Sequence, residues 1–400
     1  MNIGVVGPFN PNSIRDYLQE DQLPSINVST TAVNTLVYEF LSLGHYVKIF
    51  TLSYVEPQKY RVIRGQNVEV HLIPTGIFPK FLGNHQMVVG PLFLPKRMAK
   101  IIGNNINGLD ILHAHWTYDY AKAVSYFSDQ IPVFDTVRDW CPYQLSLMKG
   151  RSKVDWKLKN FIFKQVMADE NINFIANSTY TYRMIKKDYP NKEVPIIFNP
   201  IDKRWIVNKH SLNSCQRFIS IATGILSIRK NITKLLEAFK DYVKQYPSAQ
   251  LHLVGRYDKT HEMYLYWENR SLLNNVYLHG TIPHDDLIIL LDKMSCLVHP
   301  SLEETFGNIL LEAMSRGVIC VGGEKSGAVP EVLGYGKYGV LCDVTNSNSI
   351  LDAMLKCNDM SFAKKIQQDA TAMLYNNFSS DEIAKKHIAL FENKIKQENE

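Results

Sequence analysis

One strand-to-helix transition sets the fold class of this chain more firmly than any other stretch. Cys296–Val298 is an apolar run of strand length, and after a polar loop the apolar residues recur at helical spacing. These apolar residues are Phe306, Ile309, Leu310, Ala313 and Met314. Gly317 stands where the C-terminus of a helix needs a residue that adopts the left-handed conformation easily. A buried strand that leads directly into a helix predicts an α/β domain.

The loop between this strand and this helix has the composition of an anion site. Gly307 has no side chain, so the N–H groups of the helix N-terminus stay open to a ligand. Glu304 precedes the helix, and Glu312 follows two turns later on a similar side. Carboxylates accept hydrogen bonds from hydroxyl groups, so the loop suits a ligand with phosphate and sugar hydroxyls. The alternative is a solvated helix start, because carboxylates stabilise a helix N-terminus anyway.

The composition is that of a globular protein with two domains. Four hundred residues exceed a single core, and 46% hydrophobic and 21% charged residues are ordinary values. Asn2–Val6 is predicted to be a strand rather than part of a signal peptide, and no apolar run reaches transmembrane length. The six cysteines form no C-x-x-C motif, which fits a cytoplasmic location. A net charge of +5 permits an acidic partner or an anionic membrane surface, and we expect no nucleic-acid partner.

The first residues predict a βαβ unit. The strand Asn2–Val6 is followed by a helix over Thr31–Leu43, by Gly44 as its C-terminal glycine, and by a strand over Tyr46–Thr51. No G-x-G-x-x-G motif lies between them, which argues against a dinucleotide-dependent oxidoreductase.

The full string around Glu304 resembles a known family signature. From Pro300 to Gly317 it is Pro-Ser-x-x-Glu-Thr-Phe-Gly-x-x-Leu-Leu-Glu-Ala-Met-x-x-Gly, which is similar to the signature of the retaining glycosyltransferases of family 4. The resemblance implies an α/β, GT-B fold of two Rossmann-like domains whose parallel sheets face a cleft. It also implies that Glu304 contacts the donor sugar, that the helix start at Thr305, Phe306, Gly307 and Asn308 holds the phosphate, and that Glu312 binds the ribose.

Two cations on the N-terminal side of another helix suit a diphosphate. Arg229 and Lys230 follow a predicted strand over residues 218–223 and Gly224, and they add full charges to a helix N-terminus. In the family a Gly-Arg…Lys pattern neutralises the leaving nucleoside diphosphate. Lys230 matches that lysine, whereas Ile225 stands at the arginine position, so Arg229 is the candidate replacement. Thr281 and Ile282 follow a strand whose backbone contacts the nucleobase in the family.

The N-terminal half supplies the remaining candidates. His113 and His115 end a predicted strand on one face, a pattern that also fits a metal pair or packed core residues. The resemblance assigns to His115, with His113 as the alternative, contact with the donor sugar near the reacting carbon. Arg138 stands where the family usually has histidine, and an arginine there can hold a phosphate or carboxylate of the acceptor. Pro8 and Phe9, which follow the first strand, are further acceptor candidates.

Two segments raise the question of membrane contact. Residues 75–102 interleave apolar, aromatic and cationic residues with prolines, as expected of a peripheral membrane contact, an acceptor groove or a loop packed on its own domain. Residues 149–164 form a basic amphipathic pattern, for which we favour a core-facing apolar stripe over a membrane-facing one.

The resulting hypothesis is a metal-independent, retaining hexosyltransferase without a cofactor. The expected acceptor domain is 1–204 with a crossover helix over 380–400, and the expected nucleotide-sugar domain is 205–379. We expect a nucleotide-diphosphate sugar donor, UDP- rather than GDP-linked. The expected acceptor is a hydroxyl of a glycan or lipid-linked glycan of the cell envelope, at the inner membrane face. The alternatives are an inactive, donor-binding partner subunit and another sugar-nucleotide enzyme of the same fold.

Overall fold

Two compact units make up the chain. The computed structural model describes residues 1–20, 23–24, 30–53, 59–76, 86–206 and 216–399. Unit 1 comprises Met1–Pro200 and Ser380–Glu400, and unit 2 comprises Ile201–Ser379. The boundary predicted after residue 204 falls just inside unit 2. None of the described helices combines the length and the apolar character needed to cross a membrane.

Unit 1 is built on a seven-stranded sheet in the order β3-β4-β2-β1-β5-β6-β7. Its strands are β1 (Asn2–Val6), β2 (Tyr46–Ser53), β3 (Arg61–Gly65), β4 (Val68–Pro74), β5 (Ile111–His115), β6 (Val133–Val137) and β7 (Ile172–Ala176). All neighbours pair in parallel except β3, which is antiparallel to β4. The chain moves outward from β1 to β2 and later returns to β5 on the other side of β1. This reversal of direction makes the carboxyl ends of β1 and β5 the expected ligand position in unit 1.

Helices cover both faces of this sheet. They are α1 (Thr31–Ser42), α2 (Gln86–Gly103), α3 (Asp119–Val124), α4 (Cys141–Leu147), α5 (Gly150–Met167), α6 (Thr179–Asp188) and α14 (Ser380–Asn399). Residues of α2, α3 and α5 share one apolar core cluster, and residues of α1 and α14 share the other. The last helix is anchored in this unit, because the Ser380 hydroxyl donates to Glu39 Oε1 at 2.5 Å and Phe391 lies edge-on to Phe40 at 6.2 Å.

Unit 2 contains a six-stranded, wholly parallel sheet in the order β10-β9-β8-β11-β12-β13. Its strands are β8 (Arg217–Gly224), β9 (Gln250–Arg256), β10 (Val276–Gly280), β11 (Cys296–His299), β12 (Ile319–Gly323) and β13 (Val340–Cys342). Its helices are α7 (Ile232–Gln245), α8 (Glu262–Asn269), α9 (His284–Leu291), α10 (Asn308–Ser315), α11 (Val329–Val332), α12 (Ser347–Lys356) and α13 (Met360–Phe378). Strand order reverses between β8 and β11, so their carboxyl ends form the expected ligand position of unit 2. The predicted α/β class with parallel sheets is confirmed.

The helix start predicted at residues 305–308 is confirmed, since α10 begins at Asn308 and Gly307 is its N-cap with a left-handed φ of +91°. On α5 the prediction that the apolar stripe faces the core holds for Ile162, which is buried, but is wrong for Val154 and Phe161, which are 62% and 58% exposed. Within the predicted contact segment 75–102, residues 77–85 lie outside the described residues, and α2 covers most of the remainder.

Candidate active site

Two loops meet at the carboxyl edge of the unit 2 sheet. The turn Ile228–Lys230 follows β8, and residues 300–307 follow the neighbouring strand β11. The two loops are joined by their backbones, since the Leu302 N–H donates to the Arg229 carbonyl oxygen at 2.8 Å. The side chain of Asn231 adds a second tie by donating to the Pro300 carbonyl oxygen at 3.2 Å. The structure therefore brings together the predicted cations and the predicted acidic loop.

Glu304 is the centre of this arrangement. Lys230 Nζ donates to its Oε1, Arg229 Nη1 to its Oε2 at 3.2 Å, and His299 Nε2 lies 3.1 Å from Oε1. Burial alone would raise the pKa of Glu304, but the charges of Lys230 and Arg229 and the His299 contact hold it well below its usual range. Glu304 is therefore ionised, and it holds both cations at one point of the sheet edge.

Two residues of this cluster were missed from the sequence. His299 is the last residue of β11 and is fully buried beside Glu304. Glu303 Oε2 lies 3.7 Å from Arg229 Nη1, and its side chain is also almost fully buried. Both stand inside the stretch that the sequence singled out. The usable signal was that β11 ends at His299, because side chains at the carboxyl end of a parallel strand face the ligand edge.

The helix α10 begins next to Glu304 without a side-chain cap. Its N-cap is Gly307, which precedes the first helical residue Asn308 and has no side chain to cover the first turn. Phe306 is buried and lies edge-on to Phe378 at 5.8 Å, so its ring is a core group rather than a ligand contact. The candidates for donor binding are the backbone groups of Phe306 and of the buried Thr305. Glu312, which is buried in the second turn of α10, is a further candidate.

The residue at the family's arginine position points into the core. Gly224 ends β8, and the next residue, Ile225, is fully buried with its N–H donating to the Arg256 carbonyl oxygen at 3.1 Å. Arg229 instead brings its guanidinium to Glu304 from the far side of the same loop. The two predicted cations therefore converge without an arginine at position 225.

The predicted base-contact segment is separate from this cluster. Thr281 and Ile282 follow β10, which is three strand positions away from β11. Three strand spacings correspond to ~14 Å. A ligand that reached both places would have to be extended along the sheet edge, as a sugar nucleotide is.

Unit 1 carries a second polar cluster at its own reversal point. His115 ends β5, and Arg138 follows the neighbouring strand β6. Arg138 Nε and Nη2 lie 3.2 and 3.1 Å from Nδ1 of His115, and Nη1 donates to Asn199 Oδ1. His113 Nε2 lies 2.8 Å from the Thr136 hydroxyl, and its ring is fully buried. The structure thus joins His115 to Arg138 and places His113 in the core.

Burial dominates the electrostatics of this cluster. It lowers the pKa of His115 well below the usual range, with His113 and Arg138 adding to the effect. Burial also raises the pKa of Asp135 to about 7 and lowers that of Arg138 to about 10. His115 is therefore neutral at physiological pH.

Two acceptor candidates lie in the interior of unit 1. Phe9 is fully buried in the apolar cluster beneath α1, and its N–H donates to the Thr51 hydroxyl at 3.1 Å. Pro8 is buried beside it. Neither ring is exposed, and the acceptor role of these two residues stays a prediction.

Family models match both units. One, described as glycosyltransferase family 4, matches residues 29–205, and another, glycosyl transferases group 1, matches residues 204–372. The chain belongs to the family 4, group 1 glycosyltransferases. The predicted family is therefore confirmed. Among the described residues of this glycosyltransferase, no three His, Cys, Asp or Glu side chains are grouped so as to hold a metal ion.

Relatives of this glycosyltransferase are distant in sequence but similar over the whole chain. N-acetyl-alpha-D-glucosaminyl L-malate synthase of Bacillus anthracis is 24% identical over 385 residues, which are 92% of this chain and 94% of the relative. The solved sucrose-phosphate synthase from Thermosynechococcus elongatus has a TM-score of 0.78 at 15% identity, covering 99% of this chain and 100% of that chain. Anabaena HepE, solved in complex with UDP and glucose, has a TM-score of 0.68 at 16% identity, covering 98% and 100%. The GT-B fold predicted from the sequence is confirmed.

Proposed function

We propose that this glycosyltransferase moves a hexosyl group, with retention of configuration, from a nucleotide-diphosphate sugar to an acceptor hydroxyl. Unit 2 would bind the donor at the carboxyl ends of β8 and β11. Unit 1 would supply the groups that meet the acceptor, with His115 at the transferring sugar. The acceptor would be a glycan or lipid-linked glycan used in cell-envelope polysaccharide synthesis.

The observation that carries the donor assignment is the convergence of Arg229 and Lys230 on Glu304 beside the glycine-capped start of α10. A departing diphosphate needs preorganised positive charge, and a helix N-terminus favours an anion, so this edge of the sheet suits it on both counts. Glu304 holds the two cations in place, and its carboxylate can accept hydrogen bonds from sugar hydroxyls.

The same two cations support a metal-independent reaction. A lysine and an arginine at the diphosphate supply charge that a bound magnesium ion supplies in other phosphate-transferring sites. Transfer should therefore continue at an unchanged rate after dialysis against EDTA. A loss of activity that Mg²⁺ or Mn²⁺ restores would contradict metal independence and leave the donor assignment standing.

The donor is tested by thermal shift with UDP, GDP and their sugars, on wild type and on Lys230→Ala. A ligand at 100 times its Kd stabilises a protein by about 2.7 kcal/mol. We expect UDP-linked ligands to stabilise wild type and to lose this effect in Lys230→Ala. HepE supports UDP over GDP, since that similar fold was solved in complex with UDP and glucose.

A matched control separates donor binding from general effects of removing a lysine. Lys234→Ala makes the same substitution one turn further on, where the ammonium pairs with Glu237 Oε2 at 2.8 Å and not with Glu304. The ligand shift should survive in this variant. If GDP sugars alone stabilise wild type, the nucleobase assignment is wrong. If no nucleotide does, the proposed donor site is wrong and the inactive partner-subunit alternative is favoured.

The acceptor is tested by transfer from the identified donor sugar to a panel of hydroxyl compounds. We expect transfer to lipid-linked saccharides, whose products mass spectrometry identifies. L-malate belongs in the panel because a relative of this chain is named as a malate glucosaminyl synthase, and malate is a carboxylic acid that an arginine such as Arg138 can bind. Transfer to malate alone would replace the cell-envelope role with small-acid glycosylation.

A cationic, partly apolar surface supports contact with the inner membrane face. On α5 the exposed side chains include Lys153, Val154, Lys157, Phe161 and Lys164. On α2, which packs on the same face of the sheet, Phe93 is 58% exposed beside the exposed Lys96 and Lys100. Apolar side chains that enter the headgroup layer and cations that meet anionic lipids are the two components of peripheral membrane binding.

A further inference from the structure

A set of buried imidazole rings lies beside Arg138 in unit 1. His113 and His115 lie on β5 with ring centroids 4.1 Å apart, and His387 approaches His113 from α14 at 5.3 Å. We refer to His113, His115 and His387 as the histidine cluster. Arg138 is the cation that contacts it, and the fully buried Asp135 lies on the adjoining strand β6.

The contact between Arg138 and His115 determines which ring nitrogen carries the proton. Both Nε and Nη2 of Arg138 face Nδ1 of His115, at 3.2 and 3.1 Å. A guanidinium has only donors, so Nδ1 has to be the accepting, unprotonated nitrogen. The single proton of the neutral ring therefore lies on Nε2, which makes this atom a hydrogen-bond donor.

Arg138 is itself held from the opposite side. Its Nη1 donates to Oδ1 of Asn199, a buried residue near the end of the unit 1 chain before it enters unit 2. The guanidinium is thus fixed between an amide oxygen and an imidazole nitrogen. Long side chains lose rotamer freedom when they are clamped in this way, so the clamp gives Arg138 one orientation toward His115.

The surroundings keep His115 neutral. Its pKa is lowered by burial first, then by His113, Arg138 and His387, the groups that face it from β5, from the loop after β6 and from α14. Burial also lowers the pKa of His113 and brings that of His387 to about 4. The charge of Asp135, whose own pKa is raised to about 7 by burial, partly opposes the effect of burial on the pKa of Arg138. His115 is therefore a poor base at physiological pH.

The donor atom that results has no partner inside the protein. Among the described residues, nothing forms a hydrogen bond with Nε2 of His115, although this atom is buried. An unsatisfied buried donor costs ~1–3 kcal/mol, and a hydrogen bond to a ligand oxygen would remove this cost. The carboxyl end of β5 is also the ligand position expected from the strand order of unit 1.

We infer that Arg138 is a positioning residue which holds His115 in the neutral Nε2–H tautomer, so that His115 presents a hydrogen-bond donor to a ligand oxygen at the carboxyl edge of the unit 1 sheet. This role rests on the proposed function for its ligand. The tautomer itself follows from Arg138 and His115 alone.

The tautomer is measured directly by NMR on protein labelled with ¹⁵N-histidine, because protonated and unprotonated ring nitrogens differ in shift and in coupling. The His115→Gln variant identifies the His115 signals by their disappearance. In wild type without ligand we expect a proton on Nε2 and an unprotonated Nδ1. A proton on Nδ1, or a charged ring at neutral pH, would overturn the inference whether or not the protein transfers sugar.

The positioning role is measured on Arg138→Met, which keeps the length of the side chain and removes its donors. We expect mixed His115 tautomers and a loss in kcat of about 10- to 100-fold, with a smaller change in KM. Arg138→Lys restores one donor and should recover the Nε2–H form and part of kcat. Arg183→Met, at an exposed position of α6, is the matched control and should change neither quantity.

If Arg138→Met fails to fold, a second variant still tests the positioning role of Arg138. Asn199→Ala keeps Arg138 and removes the acceptor behind it, so it should also mix the His115 tautomers. An unchanged Nε2–H signal in a folded Arg138→Met or in Asn199→Ala would overturn the role of the clamp. If the proposed donor site in unit 2 were wrong instead, the Lys230→Ala thermal shifts would fail while the His115 spectrum stayed as expected.

Discussion

A Cβ atom on Gly327 would lie 2.3 Å from the carbonyl oxygen of Glu304. That oxygen accepts a hydrogen bond from the N–H of Ala328 at 2.9 Å, which joins the loop after β12 to the loop after β11. Gly327 also has a φ of +65°, a conformation that L side chains rarely adopt. The backbone of Glu304 is therefore held in place by a contact that only glycine permits.

Gly327→Ala should weaken both the fold of unit 2 and donor binding. The left-handed conformation costs an alanine ~1–2 kcal/mol, and the clash with the Glu304 carbonyl adds to this by moving the acidic loop. We expect a free energy of unfolding lower by ~2 kcal/mol or more in urea titrations, and a calorimetric donor affinity lower by about tenfold or more. Gly336→Ala is the control, because Gly336 has a φ of +96° with no atom within 4 Å. Equal effects of the two substitutions would show that strain alone, and not the contact with Glu304, is responsible.

Glu304→Gln should destabilise the protein at neutral pH, but not in acid. Burial alone would raise the pKa of Glu304, but Lys230 and Arg229 hold this pKa well below its ordinary value of 4.5. Its stabilisation is therefore fully present above about pH 4.5 and is lost as the pH falls through the lower, folded-state value. Removing one partner from a buried ion pair costs ~3 kcal/mol or more.

Urea unfolding of wild type and Glu304→Gln from pH 3 to 8 tests this expectation. Glu237→Gln removes a surface carboxylate that pairs with Lys234, a contact worth at most ~1 kcal/mol. A pH-independent difference between Glu304→Gln and wild type would mean that the ionisation of Glu304 contributes nothing to stability.

Much of the donor half could be predicted from local sequence, because its parts follow strand ends. Helical spacing after Cys296–Val298 located α10, and the glycine at position 307 located its N-cap. The ion pair between Glu304 and Lys230 was harder to predict from sequence. Lys230 is 74 residues away, and it contacts Glu304 only because β8 and β11 are neighbouring strands. His299 was missed for the same reason, because its role depends on the contact with Glu304 and not on its spacing.

The acceptor half could be predicted less well, because the role of each side chain there depends on how it packs in the folded unit and not on its position in the sequence. His113 and His115 stand on the same strand, and only the packing of α14 and Arg138 makes one a core residue and the other a neighbour of a cation. The same applies to α5, where spacing alone could not tell which apolar residues face the sheet. Val154 and Phe161 follow the helical period but lie on its outer side.

Asp135→Asn should stabilise the protein increasingly as the pH rises. Burial raises the pKa of Asp135 to about 7, so the folded state keeps a proton that the unfolded chain loses near the ordinary aspartate pKa of 3.8. Wild type therefore loses stability between about pH 4 and pH 7, by up to ~4 kcal/mol for a shift of this size. The uncharged asparagine avoids this loss.

Denaturant titrations at pH 4, 6 and 8 measure the difference between Asp135→Asn and wild type. It should be close to zero at pH 4 and largest at pH 8. Asp188→Asn, at an exposed position in the same unit, reports the effect of losing one surface carboxylate. A variant less stable than wild type at pH 8 would show instead that ionised Asp135 stabilises Arg138 by more than its burial costs.

Phe161→Glu should weaken binding to anionic membranes without affecting the fold. Phe161 is 58% exposed on α5, one turn from both Lys157 and Lys164, so the substitution removes an inserting ring and places a negative charge between two cations. Burying a phenylalanine side chain is worth ~1.5–3 kcal/mol, which predicts at least tenfold weaker partitioning.

Cosedimentation with phosphatidylglycerol-containing vesicles measures this partitioning, and pure phosphatidylcholine vesicles should bind wild type weakly. Tyr335→Glu makes the same change at a 71% exposed ring of unit 2 and should leave vesicle binding unchanged. Binding that is equal in wild type and Phe161→Glu would remove α5 from the membrane contact.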